Sequence, residues 1–130
     1  MMRVAKSTVK NAGKGVFATR DYKRNEFLGI YKGVTMTPKE FMRYNDAEYA
    51  WELLDEDDDV IAYVDARDPK RSNWTRFVNC PSKKSQENVK PVQKGFEMHY
   101  YAKRDIKKGE ELFVWYGPEY AKQLLGISKL

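Results

Sequence analysis

The chain carries one cysteine, Cys80, and one histidine, His99. Cys80 lies in the stretch Arg76-Phe77-Val78-Asn79-Cys80-Pro81, after Trp74 and before a polar run at 82–88. Three chemistries are open to it: nucleophile, metal ligand, or a small residue that shapes a pocket. A nucleophilic thiol needs a base to reach the thiolate. His99 is the only histidine available, and nothing in the sequence brings the two together. The plainer reading is a buried, inert thiol, which leaves Asn79 and Cys80 to act through shape and backbone. One cysteine excludes an internal disulfide, and with a single histidine it cannot complete a four-ligand structural zinc site. No metal site is expected.

Two further patterns bear on chemistry. The segment Asn11-Ala12-Gly13-Lys14-Gly15-Val16-Phe17-Ala18 holds a Gly-x-Gly after a short strand-like start. It lacks the third glycine and the βαβ context of a dinucleotide fingerprint. A hairpin turn accounts for it, and glycine also lets a backbone approach a ligand closely. The second pattern is nine tyrosines, of which Tyr31, Tyr49, Tyr63, Tyr100, Tyr101 and Tyr116 fall in strand-like segments. Most should be core or rim residues. A subset that converged on a cavity could hold an alkylammonium by cation–π contact and hydrogen-bond its nitrogen.

These residues must be positioned by a chain of 130 residues, the size of one ordinary domain. With 42% hydrophobic and 14% aromatic residues it can build a core, which argues against disorder. No apolar run reaches the length of a membrane span, and the basic N-terminus lacks the apolar stretch of a signal peptide. An intracellular chain is expected. The net charge of +5 is spread along the sequence and interrupted by an acidic run, Asp55-Glu56-Asp57-Asp58-Asp59. Ordinary solubility explains the excess, and nucleic acid is not expected as a direct ligand. The acidic run reads as a solvated hairpin turn, or as an acidic rim that attracts a lysine-rich partner.

Short strand-like segments with frequent turn signals predict a mostly β domain. Strands are expected at 15–20, 26–33, 49–54, 60–66, 96–104 and 111–117, all rich in β-branched and aromatic residues. A helix is expected at 37–45, with Thr37 as N-cap, Pro38 at the first position and Glu40 closing a capping box. A second is expected at 117–127, from Pro118 to a stop at Gly126. Gly109 should permit a tight turn between strands at 105–111. The segment 67–89 is irregular and long for a connection, so it should be functional or cross the core.

Four stretches, "GKGVFA", "YAWEL", "NWTRFVNC" and "GEELFVWYG", together resemble the conserved blocks of SET domains in order and spacing. The resemblance runs from Ala12 to Ile127 and is nearest the PR/SET subfamily, which is similar in its Asn-Cys form of the third block and its "EY…LGI" ending. The usual SET form of that block has Asn-His-Ser where this chain has Asn79-Cys80-Pro81. The resemblance implies a single SET domain over 1–130: mostly β, of small curved sheets with a pseudoknot-like crossing near the third and fourth blocks, and short helices, the last at about 118–126. It also implies S-adenosylmethionine as methyl donor and a protein lysine, of the histone-tail kind, as acceptor. The implied reaction is an in-line displacement in which a neutral lysine amine attacks the sulfonium methyl. Ala12, Gly13 and Lys14 would lie along the donor with Tyr49 against it, and Asn79 and Cys80 would hold its adenine and amino-acid parts. Tyr116 would stand at the transfer point, Tyr31 and Tyr100 in the lysine channel, and Trp51 where the substrate strand passes. Val114 falls where some SET enzymes carry a Tyr or Phe that limits methylation number. A cysteine-rich post-SET zinc segment is absent from this sequence. The C-terminal helix, a partner chain or the substrate would then close the channel, and a homodimer stays open. The expected location is the nucleus, or a host nucleus for a viral or microbial protein. A non-catalytic module that binds a lysine-bearing partner is the alternative of a different class.

Overall fold

A computed structural model describes residues 2–44 and 48–115. Its strands are β1 (Arg3–Lys6), β2 (Lys14–Phe17), β3 (Phe27–Ile30), β4 (Val34–Met36), β5 (Ala50–Leu54), β6 (Val60–Asp65), β7 (Val89–Lys94) and β8 (Glu97–Ala102). One short helix, α1 (Pro38–Phe41), and three single-turn 3-10 segments complete the regular structure among the described residues. The mostly β expectation holds, in three small sheets ordered β1–β2, β3–β8–β7 and β4–β6–β5. Internal packing divides the chain into two compact units. Of the described residues, the first takes 2–29, 77–92 and 99–115, and the second takes 30–44, 48–76 and 93–98.

In the first unit β1 pairs antiparallel with β2, bringing Val4 opposite Val16 and Lys6 opposite Lys14. Val16, Val89, Tyr100, Ile106, Leu112 and Val114 form a core with no exposed surface. Strand β8, of which Glu97 and Met98 belong to the second unit, shows the expected period of two: Met98, Tyr100 and Ala102 are buried while Glu97, His99 and Tyr101 face outward. Residues 111–115, expected as a regular strand, instead make isolated bridges. Glu111 bridges Phe17 antiparallel, and Phe113 and Val114 bridge Asn79 and Val89 in parallel. The Val114 amide donates to the Asn79 carbonyl, and the Asn88 and Val89 amides donate to the Phe113 carbonyl. The segment is thus held on one side by residue 79 and on the other by 88–89, the counterpart of the pseudoknot-like crossing. Buried Asn88 stitches it further, donating to the Glu111 carbonyl at 2.9 Å and accepting from the Phe113 amide at 2.7 Å. The turn around Gly109 (φ +92°) is also as expected.

In the second unit β6 is flanked by β4 and β5, both antiparallel. Trp51, Leu53, Ala62 and Val64 are among its buried residues, at 5% exposure or less. The acidic run is the turn of the β5–β6 hairpin: the Asp55 amide donates to the Asp59 carbonyl and the Asp58 amide to the Asp55 carbonyl. The capping box of α1 is present as read, with Thr37, Pro38 and Glu40 in their predicted roles. The helix is shorter than expected, ending at Phe41, because none of its residues is buried and nothing drives its extension. Phe41 does stack on Tyr63, centroids 4.0 Å apart. The far end of the predicted helix, at Asn45, lies outside the described residues, as does the whole predicted helix at 117–127.

Strands β4 and β7 were not legible in the sequence. Strand β4 is three residues long. Strand β7 contains Pro91, which demotes a segment as a strand candidate, yet β7 lies at a sheet edge where a missing donor is tolerated. The irregular segment 67–89 contributes buried residues to each unit, Thr75 to the second and Val78 and Asn88 to the first.

Candidate functional site

The Gly-x-Gly segment closes the β1–β2 hairpin. Its loop, residues 7–13, is held by the Ser7 amide donating to the Gly13 carbonyl and the Ala12 amide to the Val9 carbonyl. Gly13 has φ +71°, where a side chain is disfavoured, but a Cβ there would meet nothing. Gly15 is different. A Cβ on it would stand 2.3 Å from Glu111 Oε2 and 3.1 Å from Ser7 Cβ. Gly15 therefore exists to let Glu111 reach the loop. Glu111 is buried and accepts from Ser7 Oγ at 2.6 Å, from the Thr8 amide at 2.8 Å and from Thr8 Oγ1 at 2.5 Å. A longer contact, 3.4 Å, comes from Asn79 Nδ2. A cavity of about 750 Å³ opens along this loop, lined by residues 5–11, 13 and 14.

The third block joins this assembly. Asn79 Nδ2 donates to the Lys14 carbonyl at 2.9 Å, so the predicted donor residues Lys14 and Asn79 touch. The Asn79 carbonyl accepts from the Val114 amide at 3.0 Å, so side chain and carbonyl of this residue are both engaged. The Lys14 ammonium rests over the Phe77 ring, 5.6 Å from its centroid. Cys80, expected to be buried, is half-buried, its sulfur 3.7 Å from the Pro81 carbonyl. His99 packs beside Phe27 and Tyr101, with ring centroids at 5.7 and 6.5 Å.

The second unit gathers the other aromatic candidates. Tyr31 donates its hydroxyl to the Tyr49 carbonyl at 2.7 Å and meets Trp51 edge-on at 6.4 Å. The Tyr49 carbonyl accepts a second bond from the Ala66 amide. The Arg76 guanidinium covers the Tyr49 ring at 4.3 Å. That arginine is fixed in turn by donating to the carbonyls of Ala66 and Arg67. Of the residues assigned to the lysine side, Tyr31 is 4% exposed, Trp51 1%, and Tyr100 and Val114 not at all. Trp51 is thus a core residue beneath Tyr31. Tyr116 lies outside the described residues.

Sequence reasoning missed Ser7, Thr8, Glu111 and Asn88. Glu111 stood in view inside "GEELFVWYG", but its partners precede it by more than 100 positions. The one signal in the sequence is a carboxylate directly before a strand-like apolar run.

Comparison with known proteins is consistent along nearly the whole chain. A family model described as "PR domain zinc finger protein 2, PR domain" matches residues 2–127. A similar curated relative, histone-lysine N-methyltransferase set-17 of Caenorhabditis elegans, is 33% identical over 96% of this chain and 44% of its own length. The solved methyltransferase domain of human PR domain-containing protein 2 superposes with a TM-score of 0.73 at 27% identity, covering 88% of this chain and 75% of that one. A ctPRC2 structure in an autoinhibited conformation bound to S-adenosylmethionine superposes with a TM-score of 0.73 at 25% identity, covering 98% of this chain and 16% of that one. The chain spans less than half the length of the curated relatives it matches, from 19% to 44%.

Proposed function

The chain belongs to the PR-domain family, and from that premise we propose that residues 1–130 act as one S-adenosylmethionine-dependent protein-lysine N-methyltransferase domain whose acceptor is a basic tail of the histone kind. The observation that carries this reading is the meeting of two sequence blocks beside a cavity: Asn79 Nδ2 bonded to the Lys14 carbonyl, next to the space of about 750 Å³ along the 7–13 loop. That volume suits a nucleoside-sized ligand. The open space at the Gly13 Cβ position and the exposed lysines of the lining, Lys6, Lys10 and Lys14, suit the backbone approach and the carboxylate of such a donor. The residues present therefore fit the group. Ala12, Gly13, Lys14, Asn79 and Cys80 would hold it, and the reading further assigns Tyr49 to its wall.

When bound, S-adenosylmethionine supplies an electrophilic methyl group. The chain's own task is to present a neutral amine in line with it. A free lysine titrates near 10.4, so it is mostly the wrong species at neutral pH. Aromatic walls strip water from the ammonium and lower its pKa. Tyr31 and Tyr100 are assigned to that wall and Trp51 to the place where the substrate strand passes, and the small Val114 is compatible with more than one methyl group. Tyr116 is assigned to orienting the amine by its hydroxyl; an unperturbed tyrosine, near 10, is a poor base at neutral pH. Most of the acceleration comes from alignment. A nuclear location follows from a histone-type acceptor.

The test is methyl transfer from labelled S-adenosylmethionine to core histones and tail peptides, with Tyr116→Phe as control. Transfer that drops about 100-fold in the variant supports the reading. Donor binding without transfer to any basic tail removes the histone-type acceptor. Absence of both leaves the non-catalytic, lysine-binding module.

A further inference from the structure

The acidic hairpin turn borders a groove that the methyl-transfer reading does not use. It lies within the second unit, with a volume of about 760 Å³, between the β5–β6 turn and the β7–β8 turn at Gly95 and Phe96. Part of the lining is apolar: Leu54, with Ile61 at 38% and Phe96 at 60% exposure. Asp55, Glu56 and Asp57 line the groove as well. The groove is built and not a chance gap between turns. The Gln93 side chain bridges its two sides, accepting from the Leu54 amide at 2.9 Å and donating to the Leu54 and Gly95 carbonyls at 2.9 and 3.0 Å.

Two properties select an occupant. First, the five acids at 55–59 are all exposed, and among the described residues no basic side chain pairs with any of them. The rest of a chain of net charge +5 therefore leaves a concentrated negative field here unneutralised. Second, two large apolar side chains are offered to solvent in the same groove, where a single exposed one would be unremarkable. A lining that combines acidic and apolar side chains is complementary to a cationic segment that carries an apolar anchor.

We propose that this groove docks a basic segment of a partner protein, with one large apolar side chain seated against Leu54, Ile61 and Phe96 and flanking lysines or arginines facing Asp55, Glu56 and Asp57. The inference goes beyond methyl transfer, because docking needs no donor and is read without one.

The experiment is fluorescence polarisation on the full chain, without S-adenosylmethionine and in the presence of EDTA. The probe is a labelled peptide with a central leucine flanked by paired lysines, and the comparison is the same peptide with a central serine. The leucine peptide should bind at least about tenfold more tightly. Phe96→Ala should abolish that preference, since the residue is largely exposed and its loss spares the core. Glu56→Gln combined with Asp57→Asn should weaken both peptides about tenfold. Asp55 is left intact because its Oδ1 accepts from the amides of Asp57 and Asp59 and holds the turn. Equal binding of the two peptides would reduce the site to diffuse electrostatics and overturn the proposal. So would no binding, or binding indifferent to Phe96→Ala.

Discussion

Ser7 Oγ donates to Glu111 Oε2 at 2.6 Å, a buried bond between residues 104 positions apart. With the two bonds from Thr8, it ties the start of the Gly-x-Gly loop to the fourth block. The loop that rims the candidate donor cavity is therefore set by a residue far from it in sequence.

Glu111→Gln should lower stability by about 2 kcal/mol, because an amide nitrogen would replace one acceptor facing the donors of residues 7 and 8. Calorimetry of donor binding should show weaker affinity with the stoichiometry intact. A variant as stable as the parent that binds the donor equally well would remove the positioning role.

The two glycines of the segment should respond differently to alanine. Gly15→Ala forces a Cβ to within 2.3 Å of Glu111 and should cost about 3 kcal/mol by overpacking. Gly13→Ala meets no atom and should cost about 1 kcal/mol, the strain of a side chain at φ +71°. Chemical denaturation of the pair checks the order.

Tyr31→Phe removes a hydroxyl bonded to the Tyr49 carbonyl at 2.7 Å but leaves the ring against Trp51. Stability should fall by about 1 kcal/mol. If Tyr31 also lines the lysine side, peptide KM should rise while donor affinity stays level; a change in donor affinity alone would place its effect at Tyr49 instead.

The Arg20 guanidinium, bonded to Glu26 at 2.5 Å, and the Lys23 amide beside it hold the Glu26 carboxyl below the usual carboxylate range. The pair's stabilisation is present above the ordinary carboxylate pKa of about 4.3 and is lost as pH falls through the lowered folded value. In an NMR titration Arg20→Ala should move the Glu26 midpoint up toward the ordinary value. An unmoved midpoint would assign the depression to the Lys23 amide.

Much of this protein is legible from its sequence because much of it is local. The capping box of Thr37 and Glu40 closes over three residues, and the acidic turn closes from Asp55 to Asp59. Strand β8 announces itself by alternation, since one face must be dry. Four blocks in order were enough to indicate the family, because each block is contiguous. The three-dimensional structure alone decided where chain returns bring distant groups together. A proline-bearing β7 is a strand only because it lies at an edge. Asn88 is indispensable only because Glu111 and Phe113 pass beside it and their backbone groups need partners away from water. Glu111 is a clamp only because Ser7, Thr8 and Gly15 come to it. Hydrogen bonds within a few residues are encoded where they form, whereas burial and long-range pairing depend on which surfaces the folded chain brings face to face.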